Sequence, residues 1–196
     1  RDWSSDVCSS DLIVILDGKG GFVSERALSC QTTNVHMESR MTRSLGKGRF
    51  IVPQLLDKVV REYGVDGKVM WEYRTPENPP ECWPFTAIRG PRGRTMITLT
   101  HGNRVVEVDR SGKETWLLQN SDLPGPWLKD PCGAQVLANG NVVITSYGAG
   151  NQSVKLLEVD RGKRVVWTHE EPRPGGIHHF QILTTNGRKE PWPALR

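Results

Sequence analysis

The chain has 196 residues, and its 26 Lys and Arg against 22 Asp and Glu leave a formal charge of +4, scattered over glycine turns such as Gly67-Lys68, Gly112-Lys113 and Gly162-Lys163. That dispersion excludes a basic nucleic-acid stripe, and no stretch reaches the roughly 18 apolar residues of a membrane-spanning helix, so the chain reads as soluble without a span. Its four cysteines form no Cys-x-x-Cys arm, which excludes a zinc ribbon and a dense disulfide scaffold.

Residues 1–12, RDWSSDVCSSDL, have no hydrophobic period of either kind. From Asp2 to Leu12 the string resembles the conceptual translation of a common sequencing-adapter oligonucleotide. Residues 1–12 are therefore read as an artefact outside the fold, and 13–196 as the domain. Without them 25 basic and 19 acidic residues leave +6, and Cys30, Cys82 and Cys132 remain, enough for one disulfide and one free thiol. Gly18-Lys19-Gly20-Gly21 follows Asp17 and opens no helix, so it reads as a hairpin turn rather than a phosphate loop.

A single phrase then recurs three times: VVREYGVDGKVMW from Val59 to Trp71, VVEVDRSGKETW from Val105 to Trp116, and LLEVDRGKRVVW from Leu156 to Trp167. Turn glycines Gly48, Gly93, Gly140 and Gly187 keep the same beat, at steps of 45, 47 and 47 residues. Such a period without a helical run suits a four-stranded blade. In the second unit the strands are expected near Phe85 to Arg89, Thr95 to Thr100, Arg104 to Asp109 and Glu114 to Leu118, here called A to D. Glycine turns join A to B and C to D, through Asp66-Gly67, Ser111-Gly112 or Arg161-Gly162 in the latter case. In Val105-Val106-Glu107-Val108 one set of side chains is expected to face an adjacent blade and the other polar surroundings. Trp71, Trp116 and Trp167 are expected to anchor blade to blade. The fold class expected is all-β, a β-propeller of four-stranded antiparallel blades, with about three whole blades and partial ones at both ends. Propellers close with four or more blades, so an open arc, a fragment of a ring, is expected.

These residues resemble the repeats of bacterial propellers of the pyrroloquinoline-quinone-like group, in which Asp, a short turn with Thr or Ser before Gly-Lys, and Trp recur. Asp109, Ser111, Gly112, Lys113 and Trp116 match closely. Asp66, Gly67, Lys68 and Trp71 match less fully, and Asp160, Gly162, Lys163 and Trp167 depart, with one residue fewer in the turn and one more before Trp. The resemblance implies the fold and a periplasmic or extracellular setting. It does not imply quinone chemistry, because Cys30, Cys82 and Cys132 offer no adjacent cysteine pair.

Function is expected at the blade end carrying the long D/A and B/C loops, since binding residues gather on loops held by a rigid scaffold. There the D/A loops bring His36, Cys82, Cys132, His178 and His179 toward the axial channel. They read either as caps of buried loop groups or as metal or haem ligands, for which His36, Cys82, Cys132 and His178 are the candidates. His178-His179-Phe180-Gln181 with the Asn186-Gly187 turn is similar to segments of bacterial arylsulfotransferases. That resemblance implies a neutral imidazole of His178 or His179 as nucleophile, with His36, His101 and Asn103 on the same face. Trp83 and Trp127, set among prolines, read as a sugar or peptide platform or as a plug in the channel mouth. The main reading is a non-catalytic propeller that binds a small molecule or a protein near the channel. It requires no cofactor, no nucleic acid and no oligomer, and the arylsulfotransferase-like enzyme and the metal or haem binder are its alternatives.

Overall fold

The computed structural model describes residues 12–150 and 153–190. Residues 1–11 of the segment set apart above lie outside them, and Leu12 opens the first strand.

Among the described residues, sixteen strands make five antiparallel sheets. A hairpin of β1 (Leu12–Leu16) and β2 (Phe22–Ala27) comes first. The first blade is β3 (Arg43–Gly46), β4 (Arg49–Gln54), β5 (Val59–Tyr63) and β6 (Val69–Arg74). The second is β7 (Cys82–Arg89), β8 (Thr95–His101), β9 (Arg104–Val108) and β10 (Glu114–Gln119). The third is β11 (Ala134–Val136), β12 (Val142–Thr145), β13 (Ser153–Val159) and β14 (Val165–Glu171). A short hairpin of β15 (Thr184–Thr185) and β16 (Arg188–Lys189) follows. No strand pair joins the first hairpin to the last, so these sheets form an open arc.

Burial explains why the two middle strands of each blade are so apolar. Every residue of β5 is buried, as is every residue of β12. A four-stranded sheet between two neighbours has two covered faces, and its central strands lose the polar half of their alternation. The split expected within Val105-Val106-Glu107-Val108 is corrected accordingly. Val105 packs with Leu118, Ile144 and Leu157 on the third-blade side, Val106 and Val108 pack with Ile51 and Val60 on the first-blade side, and Glu107 is also buried. Both faces are blade interfaces.

The C/D turns share one construction. The amides of Asp17, Gly64, Asp109 and Asp160 each donate to the carbonyl four residues on, in Gly21, Lys68, Lys113 and Arg164. A residue with positive φ stands third after each start: Gly20 at 83°, Gly67 at 76°, Gly112 at 84° and, in the third blade, Lys163 at 68°. The departure noted at Gly162-Lys163 is therefore a one-residue exchange and leaves the turn length unchanged. Lys163 takes the left-handed position that glycine fills elsewhere.

The repeated tryptophans tie each blade to the next. The Trp71 indole donates to the carbonyl of Arg110 at 2.9 Å, and the Trp116 indole to that of Arg161 at 3.0 Å, the same position in the following turn. Guanidinium groups lie over both rings, Arg89 over Trp71 at 4.4 Å and Arg161 over Trp116 at 4.9 Å. Trp167 is 44% exposed and stacks on His169.

A second tie runs through carboxylates at one repeat position. Glu62, with a side chain 1% exposed, receives Arg49 of its own blade at 3.2 Å and, from the second blade, Arg89 at 2.7 Å and Arg110 at 2.5 Å. Glu107 repeats this with Arg94 at 3.1 Å and Arg161 at 2.8 Å. At Glu158 the partner is the Asn141 amide, at 2.6 Å. Burial by itself pushes the Glu62 carboxyl up, but the hydrogen bond from Arg110 and the charges of Arg89, Arg110 and Arg49 outweigh it and hold the group below 4.5.

Candidate functional site

The residues singled out on the long loops separate into three environments. His178 and His179 sit on the loop that leaves β14, held in place from below by a lysine. Lys155, fully buried, donates its Nζ to the carbonyls of Ala149, Gly150 and Gly175, at 2.9, 2.7 and 2.6 Å, pinning that loop to the B/C turn of its own blade. Beside it Gly176 runs so close to the backbone of Tyr147 that a Cβ would overlap its carbonyl. Thus anchored, the His178 ring stands edge-on to Phe85 at 4.7 Å and to Tyr147 at 4.8 Å, and its Nδ1 is 3.0 Å from Nε2 of His179. Arg40 also lies over Phe85, its guanidinium 5.9 Å from the ring centroid.

Arg40 is the residue that sequence reasoning missed. Its Nη1 donates to the carbonyl of Ser39 at 3.0 Å and its Nη2 contacts the Met37 sulfur at 3.7 Å, and among the described residues it has no carboxylate partner. Cys132, buried with Leu55 and Phe85 against Met37, Met41 and Trp83, completes this environment. Burial depresses the pKa of both imidazoles. The Arg40 charge adds to the effect at His178, and the charges of His178 and Arg43 add to it at His179. Both rings are thus biased toward the neutral form near neutral pH. The Cys132 thiol is pushed up to about 12, chiefly by burial.

A second group lies at the B/C turn of the second blade. The His101 ring stacks on Trp83 at 4.2 Å with its Nδ1 3.3 Å from Glu81, and its backbone amide donates to Asp130 at 3.1 Å. The Asn103 side chain accepts the Asp130 amide at 2.9 Å. Asn103 therefore supports the loop, and the half-exposed Trp83 face is already covered by an imidazole. Trp127 folds back onto the core between the second and third blades.

The remaining candidates stand apart from both. His36 is exposed on the 3-10 turn Val35–Met37. Cys82 turns into the interface of the first two blades, beside Ile51, Val60 and Ile97. At the start of the edge strand β7 the Cys82 side chain packs into that interface, so His36, Cys82, Cys132 and His178 do not come together. Among the described residues no three His, Cys, Asp or Glu side chains are placed to hold a metal ion. Cys30, Cys82 and Cys132 are all free thiols.

A cavity lies elsewhere. About 830 Å³ in volume, it opens at the A/B-turn end of the channel, walled by β3, β7 and β11 with Phe180 and Gln181. Its charged lining is Arg43, Arg49, Arg89, Arg110 and Glu62.

Three solved structures place this geometry. A protein of unknown function from Bacteroides caccae superposes with a TM-score of 0.70 at 19% identity, over 82% of this chain and 59% of its own. A catalytically inactive virginiamycin B lyase from Staphylococcus aureus with quinupristin gives 0.60 at 17% identity, over 84% of this chain and 50% of that one. The WD40 β-propeller domain of Doa1 gives 0.56 at 13% identity, over 82% and 48%. The fold is a β-propeller. The chain spans about half to three fifths of the length of these structures, and at such identities the likeness is one of fold alone. No protein-family model and no curated protein matches the chain. No transmembrane-length apolar helix occurs among the described residues.

Proposed function

We propose that this propeller binds a small organic anion at the long-loop end of its axial channel. Arg40, His178 and His179 would meet the anionic group, with Phe85 and Tyr147 flanking the organic part. The observation that carries this reading is Arg40, a guanidinium without a carboxylate partner among the described residues, set over the aromatic ring that two imidazoles also touch. A partly buried cation lacking a counter-ion is costly until a ligand supplies one. Neutral imidazoles add hydrogen-bond donors at the same place.

Sulfuryl transfer is a second reading, favoured by the lowered pKa of His178, which keeps the imidazole in the nucleophilic form. The ring nitrogen would form a bond to sulfur as the S–O bond to the aryl group breaks and the phenolate leaves. A phenol acceptor would then take the sulfuryl group and release its proton. Under the arylsulfotransferase resemblance such a protein works in the periplasm or outside the cell. The lyase activity of the Staphylococcus aureus neighbour is not carried over.

One titration separates these readings, with 4-nitrophenyl sulfate as probe and phenol present. Calorimetry is expected to report binding that Arg40→Gln weakens by about tenfold, or about 1.4 kcal/mol. Release of 4-nitrophenolate, abolished in the His178→Ala, His179→Ala double variant, supports transfer. Binding without release leaves the binding reading alone, and affinity unaltered in both variants contradicts it.

A further inference from the structure

We propose a second oxyanion site at the opposite end of the channel, where Arg43 and Arg89 project into the 830 Å³ cavity with buried Nε–H groups that find no acceptor. It does not rest on the histidine-end reading.

Four guanidinium groups line this cavity against one carboxylate, and that carboxylate is already engaged. Arg49, Arg89 and Arg110 all pair with Glu62. Arg43 does not, and among the described residues its side chain makes neither a hydrogen bond nor an ion pair. Native proteins pair nearly all buried donors, so two orphaned Nε atoms on one cavity wall call for an explanation.

The scaffold does not supply one. Five residues before the turn glycine, where the first blade has Arg43, the following units have Ile88, Gln135 and Ile182. Four before it, where the second blade has Arg89, the third has Val136, packed into the core. The interface of the second and third blades is tied by Glu107 with Arg94 and Arg161 and needs no counterpart of Arg89. Arg43 is therefore an addition to the repeat, while Arg89, tied to Glu62 and stacked on Trp71, offers the cavity only its unpaired Nε–H.

Their chemistry defines the ligand class. A guanidinium fork matches the paired oxygens of a carboxylate, phosphate or sulfate. The uncharged lining mixes the apolar Ile88, Val136 and Phe180 with the polar Thr42, Ser44 and Gln135. The fitting ligand is an oxyanion on an apolar body, of a size that cavities of roughly 300–1,000 Å³ accept.

The test uses 1-naphthyl phosphate, read by calorimetry, together with thermal unfolding of the unliganded protein. Arg43→Gln is expected to weaken binding at least tenfold and Arg43→Lys, which keeps charge without the fork, by a smaller factor. Both variants should unfold at or above the wild-type temperature, because no hydrogen bond or ion pair is lost and a buried unpaired donor is removed or relocated. The His178→Ala, His179→Ala double variant should bind within twofold of wild type. Affinity unchanged in Arg43→Gln, or lost in the histidine variant and kept in Arg43→Gln, overturns the proposal. So does a marked fall in unfolding temperature for Arg43→Lys, which would make Arg43 a structural residue.

Discussion

Glu62→Gln is expected to destabilise the protein by about 3–5 kcal/mol, the usual cost of removing one partner from a buried charge cluster. Gln fills the same volume, so the loss comes from charge: Arg49, Arg89 and Arg110 would converge on a neutral amide. For a chain of this size that corresponds to a fall of about 10 °C in unfolding temperature. The effect should grade with burial. Glu107 has two arginines, with side chains 46% and 37% exposed, and Glu158 has only Asn141, so their Gln variants should lose progressively less. The same carboxylate gives the fold a pH dependence of known sign. Because the Glu62 pKa is lowered in the folded state, its contribution is complete above the ordinary value of 4.5 and is lost as pH falls through the folded value. The wild type should therefore lose more stability than Glu62→Gln on acidification below that point. Parallel losses in chemical denaturation would contradict the clamp.

Trp116→Ala is the other large effect. The ring is 9% exposed, packs among Val105, Leu118, Ile144 and Leu157, and carries both the bond to Arg161 and the stacked guanidinium. Truncation leaves a cavity between two blades and should cost about 3–5 kcal/mol. Trp116→Phe keeps most of the packing and should lose about 1 kcal/mol for the missing hydrogen bond. At Trp167, 44% exposed, truncation should cost less than about 1 kcal/mol. Equal losses at Trp116 and Trp167 in urea titrations would refute the assignment of this residue as the inter-blade tie.

Much of the architecture was legible because the repeat restates each decision. Strand positions in the second blade follow from β-branched runs between glycines, and β7 to β10 lie within three residues of the expected bounds. Tryptophan as a blade tie was equally readable from register. What the pattern hid is the meaning of polar residues inside apolar runs. Glu62, Glu107 and Glu158 share a strand-C position, Arg49 and Arg94 share the position after a turn glycine, and Arg110 and Arg161 follow the turn's first residue. Aligning those columns would have revealed the clamp, but alternation alone suggested a solvated face.

The site was harder to read because channel neighbours are remote in the chain. Phe85, Tyr147 and His178 meet although each comes from a different loop or strand, while His36, close in sequence to Arg40, points to solvent. Histidines and cysteines drew notice as chemistry-bearing types. Arg40 and Arg43, which have no carboxylate partner among the described residues, look in sequence like any surface cation, and only their burial and the missing counter-charge distinguish them.

The central claim, that the channel histidines share an anion site with Arg40, is tested most directly by imidazole NMR during addition of 4-nitrophenyl sulfate. The resonances of His178 and His179 should move together and saturate, and their pKa values should rise toward and past the ordinary 6.5 as the anion offsets burial and the nearby Arg40 and Arg43 charges. Those of His36 and His169 should stay in place. Movement at His36 alone, or none at His178 and His179 up to saturation of any binding heat, would contradict it.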